Sequence, residues 1–220
     1  QTRCSTYNKR TTFMNLRQII IFFGILISIS SCKKIDPNNQ IDEGNFENNI
    51  YSSKEIGWNI SIPENWEIIS REQNEEYEKK GLDAIEKMVD GEIDASGLKN
   101  LIGFQKNKFN IFQSTSEPFV VEYPGEWEEN NAGLKELIYD TYENQGIKVD
   151  SSVTKTIKID GLDFKTYEFI IYSPKGDVII NQLMYSRLIN GLDFGVNINY
   201  NNESDKKEML NSWLNSKFKK

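Results

Sequence analysis

The chain has 220 residues, 38% hydrophobic and 12% aromatic, enough for one well-formed core or two small ones. It holds two cysteines, no histidine, and 26 basic against 33 acidic residues, a net charge of −7. Without histidine, a Ser-His-Asp triad, a Cys-His pair, a histidine base and histidine-ligated zinc are excluded, and an acidic chain with no basic stripe argues against nucleic-acid binding.

Residues 1–31 carry Arg3, Lys9, Arg10 and Arg17 and no acid. Setting those four bases aside leaves 22 basic against 33 acidic residues, a balance of −11. Gln1 is not an initiator, and Met14 is the first methionine, so residues 1–13 read as an upstream extension or a misplaced start. Met14-Asn15-Leu16-Arg17 makes a short positive head, and Ile19 to Ile29 is nearly all apolar. That run is too short to cross a hydrocarbon core of roughly 30 Å, and it has the length of a secretory signal's apolar region. It ends in Ile29-Ser30-Ser31-Cys32.

These four residues resemble the bacterial lipobox, a branched aliphatic and two small residues before a cysteine. The resemblance implies cleavage between Ser31 and Cys32, a diacylglycerol thioether on Cys32 and an acylated amine. Several acyl chains anchor stably where one is marginal. The partner so implied is membrane lipid. The alternative is a plain signal peptide, or an uncleaved anchor, with a chance cysteine. Cys4 lies upstream of Met14, so the mature chain would keep Cys32 alone, as suits an oxidising envelope. Lys33, not Asp, follows Cys32, which favours the outer membrane over the inner and leaves the leaflet open.

Residues 32–53 are polar and aperiodic and read as the lipidated cysteine and a flexible tether, with a globular domain over 54–220. Ile56, Trp58, Ile60 and Ile62 alternate as one strand face, Pro63 stops it, and Trp66 to Ile69 is a second short strand. Ser70 and Gln73 form a capping box opening a helix to about Val89, with Tyr77, Gly81, Ala84, Ile85 and Met88 on one face. Leu98–Phe104 and Phe109–Gln113 are two strands, and Pro118 and Pro124 break the next stretch. A second helix spans about Asn131 to Asn144, with Leu134, Leu137, Ile138 and Thr141 or Tyr142 as its apolar stripe and Gly146 as its stop.

Ile147, Val149, Val153, Ile157 and Ile159 fall at odd positions of one long strand. Asp160-Gly161 and Asn190-Gly191 are two-residue hairpin turns, and a phase change between Phe164 and Tyr167 predicts a bulge. Leu192 to Tyr200 alternates strictly. Ile159-Asp160-Gly161-Leu162-Asp163-Phe164 matches Ile189-Asn190-Gly191-Leu192-Asp193-Phe194, read as two like hairpins in one sheet. A helix from Glu203 to about Lys217 closes the chain, with Met209, Leu210, Trp213, Leu214 and Phe218 inward. The class is α+β: an antiparallel sheet of about six to seven strands with a C-terminal meander, packed by about three helices.

Gly57-Trp58-Asn59-Ile60-Ser61-Ile62-Pro63-Glu64-Asn65-Trp66, the two hairpins and Ser212-Trp213-Leu214-Asn215-Ser216-Lys217-Phe218 resemble the PsbP-like group. The likeness covers Ile56 to Phe218 and implies an α/β/α sandwich that binds a partner protein rather than one that catalyses. No metal-binding or partner-binding motif carries over to this chain.

Asp90, Glu92 and Asp94 alternate as hard-cation ligands would, yet they lack the glycine and glutamate spacing of an EF-hand loop and read as a helix-exit loop. Glu126, Glu128 and Glu129 flank Trp127 and read as the acidic first turn of a helix. Trp58 and Trp213 read as core. Trp127, with Glu126 and Glu128, is the candidate exposed partner contact. No catalytic residue, metal or cofactor is assigned. The leading expectation is a lipid-anchored, non-enzymatic binding protein of the cell envelope. The alternatives are a carboxylate-dependent, glycan-active hydrolase and a small-ligand binder.

Overall fold

The computed structural model describes residues 35–89 and 94–219. The antiparallel class read from the sequence is the one observed. A four-stranded sheet has the order β1 (Asn45–Glu47), β2 (Ile50–Ser52), β3 (Trp58–Ser61), β12 (Lys217–Phe218), and an eight-stranded sheet the order β4 (Glu67–Ile68), β5 (Lys99–Asn107), β6 (Asn110–Pro118), β11 (Leu192–Tyr200), β10 (Val178–Ile189), β9 (Leu162–Tyr172), β7 (Val149–Ser151), with β8 (Lys155–Ile159) also paired to β9.

The polar segment before Lys54 is not a tether over its described length. Asn45–Glu47 (β1) and Ile50–Ser52 (β2) form a hairpin that pairs with Trp58–Ser61 (β3). Asn48 and Asn49 both have positive φ, the conformation of a two-residue type I′ turn. Tyr51 is 0% exposed and packs edge-on against Trp58. Glu43 fastens the hairpin. Its carboxylate accepts from Ser53 Oγ at 2.6 Å and from the Lys54 N–H at 2.7 Å, and its carbonyl accepts from Tyr51 Oη at 2.9 Å. The domain therefore opens near Ile35, not Lys54.

Glu67–Ile68 (β4) leads into α1 (Arg71–Val89), capped by the reciprocal Ser70–Gln73 bonds expected from the sequence. The expected apolar stripe of α1 is thin. Tyr77, Ala84 and Ile85 are half-buried, Gly81 is exposed, and Asn74 is buried instead. Lys99–Asn107 (β5) and Asn110–Pro118 (β6) are longer than their apolar cores suggest. The β5–β6 register shifts between Asn100 and Gly103, where the Ser114 hydroxyl bridges the N–H and C=O of Ile102. Glu126–Asn144 (α2) begins five residues before its expected start.

The long strand expected over Ile147–Ile159 is broken. Val149–Ser151 (β7) and Lys155–Ile159 (β8) both pair with Leu162–Tyr172 (β9), and Val153 between them is 73% exposed. The break has a cause in face. Val149 lies with Tyr167, Phe169 and Ile171 under α2, whereas Ile157 and Ile159 lie with Phe164 on the opposite face. A continuous period-2 strand cannot serve both faces. The same change of face accounts for the phase shift in β9. Its pairing with Val178–Ile189 (β10) runs without a bulge from Lys165 to Ile171, and the irregularity lies at Val178 and Ile180. Both hairpin turns have positive φ at Asp160-Gly161 and Asn190-Gly191, as their type I′ geometry requires. Leu192–Tyr200 (β11) follows the second.

Glu203–Leu214 (α3) is capped by Asn202, whose side chain accepts from the Asp205 N–H at 2.9 Å. It ends before Lys217–Phe218 (β12), a short strand on β3 where a continuing helix was expected. The main core lies between the two sheets and α3. Trp213 packs against Phe164, Tyr185 and Trp58 at 5.2, 5.5 and 5.8 Å, and Trp58 against Phe194 at 5.0 Å. Burying aromatics of this size dominates a core of this kind.

Candidate functional site

The large sheet's second face is unusual beneath α1 and α2. Strands buried on both faces normally present apolar residues to the layers above and below. Here the cross-strand pairs are Gln113↔Asn197, Thr115↔Gly195 and Glu117↔Asp193 on β6 and β11, continued by Ser186 on β10 opposite Gly195. A polar floor results, roofed at its sides by the two helices. Two adjoining hollows of about 260 and 190 Å³ lie on it and share Leu98, Thr115, Met184 and Gly195.

The first hollow takes Asn74, Tyr77 and Glu78 from α1, with Asn100 and Asn197 from the sheet. Glu78 accepts from Asn100 Nδ2 at 3.3 Å, and Tyr77 Oη donates to Gln105 at 3.3 Å. Asn74 is 4% exposed, and its side-chain amide makes no hydrogen bond among the described residues. Asn197 Oδ1 is buried and unpartnered. A buried side-chain oxygen of this kind is nearly always paired, so Asn197 Oδ1 is exceptional.

The second hollow is acidic. Trp127 Nε1 donates to Asp193 Oδ1 at 2.9 Å, and Asn131 Nδ2 donates to Ser186 Oγ at 2.6 Å, so α2 is held to the floor by polar bonds. Burial pushes the Asp193 carboxyl above its ordinary range despite the indole bond. Burial, and then the Asp193 charge, push Glu117 up as well. Glu117 is open to solvent at its end, and Asp193 is half-buried. Among the described residues no Lys or Arg lines either hollow.

The sites expected from the sequence fall elsewhere. Ile29, Ser30, Ser31 and Cys32 lie outside the described residues. Trp127 is not an exposed aromatic. It is 7% exposed, because α2 starts early enough to point its indole at Asp193. Glu126 turns back to accept from the Glu122 N–H, and Glu128 is exposed beside a separate hollow that includes Lys165 and Arg187. Trp127 and Glu128 line that hollow together, whereas Glu126 is turned to the Glu122 N–H. Asp90 and Glu92 lie outside the described residues, and Asp94 accepts from the Ser96 N–H at 2.9 Å. Among the described residues no group of three His, Cys, Asp or Glu is placed to hold a metal. No described helix is long and apolar enough to cross a membrane.

Fold and site together define an α+β domain whose antiparallel sheet carries a polar groove between two helices. No protein family model matches the chain, and no curated protein matches it. Among solved structures, the solution structure of cyanobacterial PsbP (CyanoP) from Synechocystis sp. PCC 6803 is similar, with a TM-score of 0.49 and 10% identity over 87% of this chain and 99% of that one.

Proposed function

We propose that the chain is a lipid-anchored protein of the cell envelope whose folded part is a non-enzymatic binding domain. One observation carries the anchor: a positive head, an apolar run of signal-peptide length and Ile29-Ser30-Ser31-Cys32, in that order. Among the described residues secondary structure begins at Pro37, and a backbone from Cys32 to Asp36 spans roughly 14 Å at most. A domain anchored through Cys32 would then sit at the bilayer surface and meet its partner at high effective concentration. The partner is a protein, and no nucleic acid is involved. The preferred location is the outer membrane.

Fractionation of cells expressing the wild-type chain and Cys32→Ala tests this. The wild type should pellet with membranes and the variant should become soluble. Equal membrane retention of both would contradict the anchor.

The Glu117–Asp193 pair favours a second reading, carboxylate-dependent glycan hydrolysis. Directly opposed residues of an antiparallel pair hold their Cβ atoms about 5 Å apart, which puts the two carboxyl groups on one face as neighbours, the pairing that glycoside hydrolysis uses. Assay against chromogenic glycosides decides between the two. The binding reading predicts no turnover above that of an Asp193→Asn, Glu117→Gln variant.

A further inference from the structure

We propose that the groove between α1 and α2 is a binding site for a small organic ammonium ion that carries further hydrogen-bond donors. The inference rests on reading the domain as a binder, but not on the Cys32 anchor.

The first argument is the floor. Glu117, Asp193 and Asn197 point away from the aromatic core, and none of them is needed to hold the sheet, which is already paired through its backbone. Gly195 sits mid-strand at the junction of the two hollows. A glycine inside a strand weakens it and marks a place where another group approaches the backbone.

The second argument is Asn74. It is buried on α1, lines the groove, and has an amide with no partner among the described residues. Its amide is therefore free to bond a ligand that enters the groove. Asn197 Oδ1 is a second unused group in the same hollow, and as a carbonyl oxygen it can only accept.

The third argument is charge. Glu78, Glu117 and Asp193 face the groove, and among the described residues no Lys or Arg lines it. The half-buried Asp193 carboxyl ionises more readily beside a cation, and the more open Glu117 opposite it adds a second carboxyl to hold one. The ligand that fits supplies positive charge to Asp193 and Glu117 and N–H or O–H donors to Asn197. The hollows are small enough to favour a small molecule over a polypeptide strand.

The experiment is calorimetric titration of the full chain with butane-1,4-diamine, with butane-1,4-diol as the uncharged control and a short oligolysine peptide as the macromolecular control. Saturable binding of the diamine, none of the diol, and affinity at least about tenfold weaker in Asp193→Asn, Glu117→Gln are expected. The amide of Asp193→Asn keeps an acceptor for Trp127, so the fold should survive, and a thermal melt of each variant checks it. Asn74→Asp supplies an independent arm: an added carboxylate should hold or tighten diamine affinity, whereas a purely structural role for Asn74 would lower it along with stability. Three results overturn the proposal: no saturable binding up to about 10 mM, equal binding of the diol, or diamine affinity unchanged in the double variant. Binding of oligolysine alone also overturns it and marks the face as a surface for basic polypeptides. Failure here with Cys32-dependent fractionation intact removes the ligand but not the anchored binder, and glycoside turnover removes the binder reading itself.

Discussion

Trp127 and Asp193, on different elements, share a 2.9 Å hydrogen bond that joins the first turn of α2 to the floor of the groove. The indole supplies both apolar burial and the bond given to a half-buried carboxylate. Trp127→Ala should therefore cost about 3–5 kcal/mol in urea unfolding, through the cavity and the lost donor. Trp127→Phe keeps most of the volume and should cost about 1–2 kcal/mol. If Phe matched Ala, the hydrogen bond would dominate the contact. If neither changed the midpoint, α2 would not be held there.

The acidic pair sets a pH dependence of definite sign. Asp193 and Glu117 are both raised, so the folded chain binds their protons more tightly than the unfolded chain does. Their contribution to stability is present below the unfolded carboxylate range and is lost as pH rises through the raised folded values. Asp193→Asn with Glu117→Gln should remove that loss. The variant should gain about 2–4 °C over wild type near pH 7 and nothing near pH 4. A gain that is equal at both pH values would contradict the assignment.

The opening hairpin makes the sharpest structural test. Gly44 has φ +90°, and a Cβ there would lie 2.6 Å from the Ser52 carbonyl oxygen. Backbone cannot yield cheaply, so Gly44→Ala should cost more than about 2 kcal/mol in denaturant unfolding. Were residues 35–53 a tether, the same substitution would leave the midpoint unchanged.

The features legible in the sequence are those set by period and turn chemistry. The alternation of Ile56, Trp58, Ile60 and Ile62, of which Trp58–Ser61 is the strand, the Ser70–Gln73 cap and the Asp-Gly and Asn-Gly turns are local signals, and local geometry obeys them. The opening hairpin is hidden because its strands are three residues each, too short for alternation to stand out. Its Asn48-Asn49 turn is the available signal. The groove is illegible for a different reason. Gln113, Thr115 and Glu117 alternate with buried residues as any solvent face does, and only the placement of α1 and α2 turns that face inward. The matched hexapeptides show the limit. Asp163 and Asp193 occupy the same place in both. Yet Asp163 is lowered by its 2.6 Å bond to Lys158 on an exposed edge, and Asp193 is raised by burial under α2.

A binding domain held at a membrane by an acylated Cys32 carries a definite chemical signature at its N-terminus. The most direct measurement is the intact mass and N-terminal sequence of the mature protein purified from envelope membranes. The account predicts a chain that begins at Cys32 and carries diacylglycerol and an N-acyl group, with residues 1–31 absent. A mature chain that retains residues upstream of Cys32, or one that begins at an unmodified Cys32, would contradict it.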